Sequence, residues 1–152
     1  MTKKQSAGLL LFRRNSGAIE VFMVHPGGPF WKNKDAGAWG IPKGEMEEDE
    51  DLLTTAIREF QEETGAIISG EFIALKPVQQ KSGKIVHAFA IEHDLDASAI
   101  ISNSFQIEWP PKSGRIQLFP EVDKGAWFRL DEARKKINEA QVALINELEE
   151  KI

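Results

Sequence analysis

Three glutamates near the middle of the chain have a spacing that suits divalent-metal chemistry. Glu59, Glu62 and Glu63 stand three and four positions apart, so on a helix their side chains are neighbours. Like charges placed this closely repel one another. A divalent cation offsets two of them at once, and carboxylate oxygens suit Mg²⁺ or Mn²⁺. A triplet of this kind is also common on a solvated helix surface, so spacing alone leaves both interpretations open.

The three glutamates end a longer acidic segment. Residues 45–63 contain nine acids, and Arg58 is the only base among them. Six of them precede or open the helix, where acidic side chains interact favourably with the helix dipole, and this interpretation suits most of the six. These six are Glu45, Glu47, Glu48, Asp49, Glu50 and Asp51. The net negative charge of the segment means that an anionic ligand needs a cation there before it can bind.

The helix that positions these glutamates is predicted over residues 51–64. Its apolar residues recur at helical spacing and form one stripe, and Gly65 follows the last turn, where glycine commonly ends a helix. The stripe consists of Leu52, Leu53, Ala56, Ile57 and Phe60. The three glutamates flank this stripe, so we expect them at the rim of the core, partly shielded from water.

The spacing of fixed residues from Gly44 to Ala66 resembles the Nudix box, the signature of the Nudix hydrolases. All seven glycine, arginine and glutamate positions of that signature are matched, by Gly44, Glu50, Arg58, Glu59, Glu62, Glu63 and Gly65. Ala66 departs from the pattern, because the family usually has a larger aliphatic residue there. The stretch 39–44, Trp-Gly-Ile-Pro-Lys-Gly, also resembles the strand that leads into the box. The order of strands and helices also fits the family, so the resemblance covers most of the chain, with 94–118 the least covered region.

The resemblance implies a metal-dependent hydrolase that cleaves a diphosphate linkage in a nucleoside polyphosphate or another nucleotide derivative. The implied cofactor is Mg²⁺ or Mn²⁺. The metal ligands would be Glu59, Glu62 and Glu63 together with the backbone carbonyl of Lys43.

Two further roles follow from the same resemblance. Arg58 is counted among the catalytic residues because its implied role is to orient the glutamates. The implied role of Glu50 is to brace the loop before the helix. The general base is either Glu59 or Glu121, which lies in the loop before the last predicted strand.

Substrate contacts are expected from aromatic and basic side chains in loops. Trp31 and Trp39 can stack on a nucleobase, although Trp39 suits the core equally well. Phosphate can be contacted by Lys43, by Arg115 and by several further lysines in loops, Lys81 among them. His25 and His87 lie in apolar strand runs and are predicted to be structural.

The resemblance limits the class of substrate without identifying a single compound. The stretch 39–44 resembles members that cleave dinucleoside polyphosphates such as diadenosine tetraphosphate, while nucleoside triphosphates and nucleoside diphosphate sugars remain alternatives. A silent Nudix-fold module that binds or senses a nucleotide is the other alternative. It is disfavoured because such modules usually lose carboxylates of the box, and none is lost here.

Hairpins account for most of the predicted strands. Apolar runs at 7–12 and 19–25 flank a turn at 15–17, and runs at 72–78 and 85–93 flank Ser82-Gly83. Residues 94–118 suggest an irregular hairpin or a long ordered loop.

The C-terminal part is predicted to be mainly helical. A short strand at 126–128 precedes a helix capped by Asp131, and Asn138 with Gln141 marks a second cap, so two helices meet near Ile137. With the central helix this order predicts an α/β fold, the Nudix-type α/β/α sandwich with a mixed sheet and the loop-helix-loop box.

Composition limits the remaining possibilities. The 152 residues suggest a single Nudix hydrolase domain, 1–152, and the absence of cysteine excludes disulfides and thiolate catalysis. A net charge of −5 disfavours long nucleic acids as partners and leaves a small nucleotide substrate. No apolar run approaches the length of a membrane span or a signal peptide, so we expect a cytoplasmic protein without membrane contact. The oligomeric state is not indicated.

Overall fold

The computed structural model describes residues 4–152, which form nine strands, three α-helices and two short 3-10 turns. The strands are β1 (Gln5–Asn15), β2 (Ala18–Pro26), β3 (Lys43–Glu45), β4 (Ile73–Ala74), β5 (Val78–Gln79), β6 (Ile85–Glu92), β7 (Ser104–Glu108), β8 (Ile116–Pro120) and β9 (Val122–Arg129). The helices are α1 (Leu52–Thr64), α2 (Leu130–Lys136) and α3 (Val142–Lys151), and the 3-10 turns are Ala97–Ala99 and Glu139–Gln141.

Seven of the strands form one mixed sheet, in the order β4–β6–β1–β2–β9, with β3 beside β1 and β5 beside β6. The pair β1–β6 is parallel, and the other pairs of this sheet are antiparallel. The hairpin of β1 and β2 turns at Ser16-Gly17, where both residues have positive φ. This confirms the first predicted hairpin.

Helices cover both faces of the sheet. Side chains along β1 alternate between the two faces, so Leu9 belongs to one apolar cluster with Phe60 of α1. Leu10 belongs to the opposite cluster with Leu144 of α3. The six-residue apolar run in β1 is therefore explained by burial on both faces. The predicted α/β/α sandwich is confirmed.

Helix α1 has the predicted ends. The side chain of Asp51 accepts a hydrogen bond from the backbone N–H of Thr54 at 2.7 Å, which caps the N-terminus. Gly65 adopts a left-handed conformation with φ 85°, and its N–H donates to the carbonyl of Gln61. These caps fix the length of the helix that carries the three glutamates.

The prediction of one continuous strand at 72–78 was wrong. Ile73 pairs with Ala90 and Val78 pairs with Val86, so the register shifts by one residue between β4 and β5. Pro77 lies in the gap and has no N–H to donate to a neighbouring strand. The backbone N–H of Lys76 instead donates to the carboxylate of Glu147 in α3.

The segment 94–118 contains a hairpin, as one of the two alternatives predicted. Strands β7 and β8 pair antiparallel as a separate two-stranded sheet. The final strand is longer than the predicted 126–128, because β9 pairs with β2 along almost its whole length.

The prediction that Asp131 caps α2 was wrong. Strand β9 runs directly into the helix, so Arg129 occupies the N-cap without a side-chain cap bond and Asp131 lies in the first turn. Asn138 does cap the next turn, because its Oδ1 accepts from the N–H of Ala140 at 3.0 Å. The two C-terminal helices are separated near Ile137, as predicted.

Candidate active site

Gly44 brings the backbone of β3 against the carboxylate of Glu59 in α1. The pairing of β3 with β1 places Gly44 opposite Ala7. A β-carbon added at position 44 would overlap the carboxylate group of Glu59. The box glycine is therefore required by this close approach between strand and helix.

Arg58 connects the loop before α1 to two of the three glutamates. Its Nε and Nη2 donate to the two carboxylate oxygens of Glu50 at 2.7 and 2.9 Å. Its Nη1 donates to Glu59 at 3.0 Å and to Glu62 at 3.2 Å, and Nη2 also reaches the carbonyl of Glu45. A planar guanidinium is suited to this arrangement, since its donors lie in a fixed fork.

Glu50 accepts hydrogen bonds from three residues. Besides Arg58, its Oε1 accepts from the backbone N–H of Glu47 at 3.0 Å and from the hydroxyl of Thr55 at 2.9 Å. The hydrogen bonds from Arg58, followed by that from Glu47, lower the pKa of Glu50 to about 2. Glu50 is therefore ionised and ties the loop to α1, in agreement with the bracing role that the resemblance implies.

Glu63 lies deeper than the other two glutamates. Burial and the nearby charge of Glu59 raise its pKa to about 8, while Lys43 acts in the opposite direction. Its Oε2 is buried and has no hydrogen-bond partner among the described residues. A buried oxygen without a partner is costly. The charges of Glu59 and Glu121 also act on this carboxyl group.

Glu59 shares part of this environment. Burial and contact with Glu62 raise its pKa to about 7, against the opposing effect of Arg58. Within residues 4–152 no three His, Asp or Glu side chains already converge as a ready metal site. The donor chemistry nevertheless fits a divalent cation, because the carboxylates repel one another and one buried oxygen lacks a partner.

A cavity of about 470 Å³ lies beside these glutamates. Glu63 and Lys43 line it together with Glu121, Trp31 and Trp39. The rest of its lining consists of Val24, Pro26, Ala38, Gly40, Ile41, Gln80, Lys81, Ser82, Val122, Asn138 and Gln141. The volume falls within the range of small-molecule sites.

Glu121 is the only one of the two candidate bases that lines this cavity among the described residues. Its side chain is exposed, whereas its backbone is fixed: its N–H donates to the Asn103 carbonyl, and its own carbonyl accepts from Gly27. Glu59 is not among the described residues that line the cavity; it contacts Arg58, and its side chain is 14 % exposed.

Three of the four residues predicted to contact substrate line the cavity, and the fourth does not. Lys43 and Trp31 line the cavity, and burial is the main cause that lowers the pKa of Lys43. Trp39 also lines it, yet the ring is buried against Phe128, with its indole N–H donating to Asp35. Arg115 does not line the cavity, because it is exposed in the turn between β7 and β8.

The two strand histidines have structural partners. His25 is buried, with Nδ1 at 2.9 Å from Asp123 and Nε2 at 2.6 Å from the carbonyl of Lys34. It therefore joins the loop that carries Trp31 to the start of β9. The Nε2 of His87 lies 2.6 Å from Gln5, outside the cavity.

Sequence reasoning missed the part of the cavity formed by the C-terminal region. Asn138 and Gln141 were interpreted only as helix caps, but both line the cavity. The Oε1 of Gln141 accepts from the N–H of Ile41 at 3.0 Å, and the N–H of Asn138 donates to the carbonyl of Trp39. Separations of about a hundred positions leave no signal in a single sequence.

The NUDIX domain family matches residues 2–148. The chain therefore belongs to this family, as its Nudix box indicated. Enzymes of the family generally use divalent metal ions.

Solved structures with the same fold support this assignment. The NUDIX domain of Shewanella oneidensis NrtR complexed with ADP ribose superposes with a TM-score of 0.69 at 19 % identity, covering 99 % of this chain and 89 % of that one. An Ap4A hydrolase from C. elegans superposes with a TM-score of 0.64 at 22 % identity, covering 96 % and 95 %. At these identities the likeness concerns the fold.

Similarity to curated proteins is local. The mRNA-decapping protein g5R of African swine fever virus is 54 % identical over 44 residues, which is 29 % of this chain. The match spans 17 % of the length of that protein. None of the helices in residues 4–152 has the length and apolar character needed to cross a membrane.

Proposed function

We propose that this protein hydrolyses a diphosphate linkage in a nucleoside polyphosphate with the help of Mg²⁺ or Mn²⁺. Dinucleoside polyphosphates such as diadenosine tetraphosphate are the first candidate substrates. One observation carries the proposal: three glutamates with mutually unfavourable charges adjoin a cavity of about 470 Å³ that Glu63 and Lys43 line. The Ap4A hydrolase among the solved neighbours supports the choice of substrate.

Metal binding is assigned to the carboxylates of Glu59, Glu62 and Glu63 and to the backbone carbonyl of Lys43. When bound, a divalent ion supplies positive charge for phosphate oxygens and lowers the pKa of a coordinated water. Arg58 and Glu50 position the glutamates, because the guanidinium contacts both Glu59 and Glu62.

Glu121 is the general base in this proposal. Glu121 lines the cavity and its side chain is exposed, so we assign to its carboxylate the proton of the water that attacks phosphorus. Glu59 is less suited to that role, since Arg58 and Glu62 already occupy its carboxylate.

Substrate binding is assigned to two kinds of side chain. The ammonium group of Lys43 binds phosphate oxygens, and its position beside Glu63 puts them next to the acidic cluster. We assign the stacking of a nucleobase to Trp31, which lines the cavity, with Trp39 as a second lining residue that is itself buried.

The domain organisation and setting of the protein are part of the proposal. The seven-stranded sheet, with an apolar cluster on each face, supports a single domain over 1–152. We assign it to the cytoplasm, with a small nucleotide as its ligand and neither long nucleic acid nor membrane as a partner.

A substrate panel tests the proposed function. Nucleoside triphosphates, dinucleoside polyphosphates and nucleotide sugars are incubated with the protein and either Mg²⁺ or Mn²⁺, and the products are resolved by chromatography. We expect cleavage between two phosphorus atoms that stops when EDTA is added. Nucleotide binding without turnover of any compound would instead favour the silent binding module.

A further inference from the structure

The buried ring of His25 has a hydrogen-bond acceptor at each of its two nitrogens. Nδ1 lies 2.9 Å from a carboxylate oxygen of Asp123, and Nε2 lies 2.6 Å from the carbonyl oxygen of Lys34. An ionised carboxylate and a carbonyl oxygen can only accept hydrogen bonds, so both ring nitrogens must donate. A neutral imidazole has one N–H, whereas the imidazolium has two. The geometry therefore describes a charged His25 paired with the Asp123 carboxylate.

A β-bulge in β9 brings Asp123 to the histidine. His25 pairs with Lys124 and Pro26 pairs with Val122, so Asp123 is an extra residue opposite the step between His25 and Pro26. Bulges re-aim a side chain in this way and are frequent beside active sites. The side chain of Asp123 is 36 % exposed, and that of His25 is 1 % exposed. The bulge therefore gives the buried ring the carboxylate that its second N–H requires.

The other charged groups around the histidine ring are engaged elsewhere. The ring of Trp39 packs edge-on against it at 5.2 Å between centroids, and the ammonium of Lys124 lies 5.6 Å from the centre of the Trp39 ring. Asp35 accepts from the indole N–H of Trp39 and pairs with Lys136 of α2. Among residues 4–152, Asp123 is thus the only acidic side chain that hydrogen-bonds to the histidine ring.

On the Nε2 side, the histidine binds the loop that carries Trp31. The N–H of Lys34 donates to the carbonyl of Trp31 at 3.0 Å, and the Lys34 ammonium lies 5.1 Å from the centre of the Trp31 ring. The two residues therefore belong to one turn, whose last carbonyl is bound by His25. Since Trp31 lines the cavity, this hydrogen bond fixes one wall of the candidate active site.

On the Nδ1 side, the histidine binds the segment that carries Glu121, which lies two residues before Asp123. The carbonyl of Glu121 accepts from the N–H of Gly27 at 2.9 Å. A β-carbon added at position 27 would overlap the carbonyl oxygen of Pro120. The chain that follows His25 therefore lies directly against the segment of Glu121, and the bond to Asp123 holds the same two segments together.

We propose that His25 is a positioning residue whose protonated ring joins the loop of Trp31 to the segment of Glu121. The ring does not line the cavity, so it acts through those two residues rather than on the substrate. This inference rests on the proposed function, which assigns the proton of the attacking water to Glu121 and stacking to Trp31. Loss of one ring proton removes one of the two hydrogen bonds and separates the two walls.

The charge of the ring is tested by NMR. Two-bond proton–nitrogen correlations at pH 7 show which ring nitrogens carry a proton, and the signal of His25 is assigned by its absence from His25→Gln. We expect both nitrogens to be protonated. In Asp123→Asn the amide can donate to Nδ1, so the ring should keep only the proton on Nε2. A His25 ring with one protonated nitrogen in the unchanged protein would overturn the charged pair.

Kinetics at saturating Mg²⁺ tests the positioning role. Asp123→Ala removes the acceptor at a half-exposed position, and we expect it to lower kcat and raise KM, with kcat/KM reduced about 10- to 100-fold. Asp123→Asn keeps a hydrogen bond to Nδ1 and should restore most of this loss. A merely structural role would lower Tm and leave both constants unchanged below the unfolding temperature.

Two variants serve as controls. Asp131→Ala removes an exposed aspartate that makes no hydrogen bond or ion pair within residues 4–152. His87→Gln changes the other strand histidine, whose Nε2 contacts Gln5 outside the cavity. Both should keep the kcat and KM of the unchanged protein.

Hydrogen exchange separates this inference from the proposed function, because it needs no substrate. The Gly27 amide, which donates to Glu121, should exchange faster in Asp123→Ala than in Asp131→Ala. In an active protein, unchanged kcat and KM in Asp123→Ala would overturn the positioning role. If the unchanged protein hydrolyses no compound while exchange at Gly27 still depends on Asp123, the proposed function alone is overturned.

Discussion

Gly44 and Glu59 are placed so that no side chain larger than hydrogen fits at position 44 without moving the Glu59 carboxylate. The glycine stands in β3 and the glutamate in α1, so their contact sets the distance between the strand and the helix. The acidic side chains owe their arrangement to this approach as well as to their spacing along the helix.

The first prediction concerns this contact. In Gly44→Ala the added methyl group displaces the end of a flexible glutamate side chain rather than the backbone, so the fold should persist. Activity with Mg²⁺ should fall by about 100-fold, since a misplaced charged group loses its effect on the transition state. Steady-state kinetics measures the loss, and circular dichroism checks the fold. Activity near that of the unchanged protein would mean that the position of Glu59 does not matter.

The second prediction concerns the bracing pair. Glu50→Gln removes the charge that Arg58 binds through two hydrogen bonds, and it should lower metal affinity or activity by about 10- to 100-fold. The side chain of Glu48 is exposed and makes no hydrogen bond or ion pair in residues 4–152, so Glu48→Gln is the matched control. The magnesium concentration at half-maximal rate is the measurement. Equal behaviour of the two variants would remove Glu50 from the site.

The same pair predicts an acid limit to stability. The pKa of Glu50 is held at about 2, below its ordinary value of 4.5, so its contribution is present above pH 4.5 and is lost as the pH falls towards 2. Thermal unfolding between pH 6 and pH 2.5 should therefore show a smaller decrease in Tm for Glu50→Gln than for the unchanged protein. Parallel curves would contradict the prediction.

The third prediction links metal binding to protons. The pKa of Glu63 is raised from 4.5 to about 8. Between these two pH values the metal-free folded state keeps a proton on Glu63 that the unfolded chain has already released. Stability of the metal-free protein should therefore fall as the pH rises from 6 to 8, by about 2 kcal/mol for this group.

A divalent ion replaces that proton. Mg²⁺ should accordingly raise Tm more at pH 8 than at pH 6, and Glu63→Gln should remove most of the difference. Differential scanning fluorimetry with and without EDTA measures both values. A Tm increase that is the same at the two pH values would show that Glu63 does not exchange a proton for metal.

The fourth prediction distinguishes the two candidate bases. Glu121→Gln should lower kcat by about 10²- to 10⁴-fold, as expected for removal of a general base, while the dissociation constant for Mg²⁺ changes little. Glu59→Gln should weaken Mg²⁺ binding instead. If Glu121→Gln retains full kcat and Glu59→Gln abolishes it without affecting metal binding, the assignment of the base is reversed.

The box and its helix could be predicted from sequence because their determinants are local. The apolar stripe, Asp51 and Gly65 define α1, and the intervals between Gly44 and Glu63 define the acidic cluster. The interruption at Pro77 carried a local signal that the strand prediction did not use. By contrast, the entry of Asn138 and Gln141 into the cavity depends on contacts about a hundred residues away. The cap formed by Asn138 is visible in sequence, but the place of Asn138 and Gln141 in the cavity is not.

The capping of α2 shows a different limit. Asp131 is a good capping residue, but β9 is held by β2 up to Arg129, so the helix begins two residues earlier than predicted. The pairing of β9 with β2 therefore sets where α2 begins, whereas the capping preference of Asp131 alone predicts a later start.

The most direct test of the account is the rate of Mg²⁺-dependent cleavage by Glu62→Gln compared with Glu48→Gln. Glu62 contacts Arg58 and Glu59 within the cluster, whereas Glu48 is an exposed acid of the preceding loop. We expect Glu62→Gln to fold normally and to lose at least about 100-fold in kcat, with Glu48→Gln within about twofold of the unchanged protein. A folded Glu62→Gln variant with near-normal turnover would contradict the assignment of this cluster as the metal site.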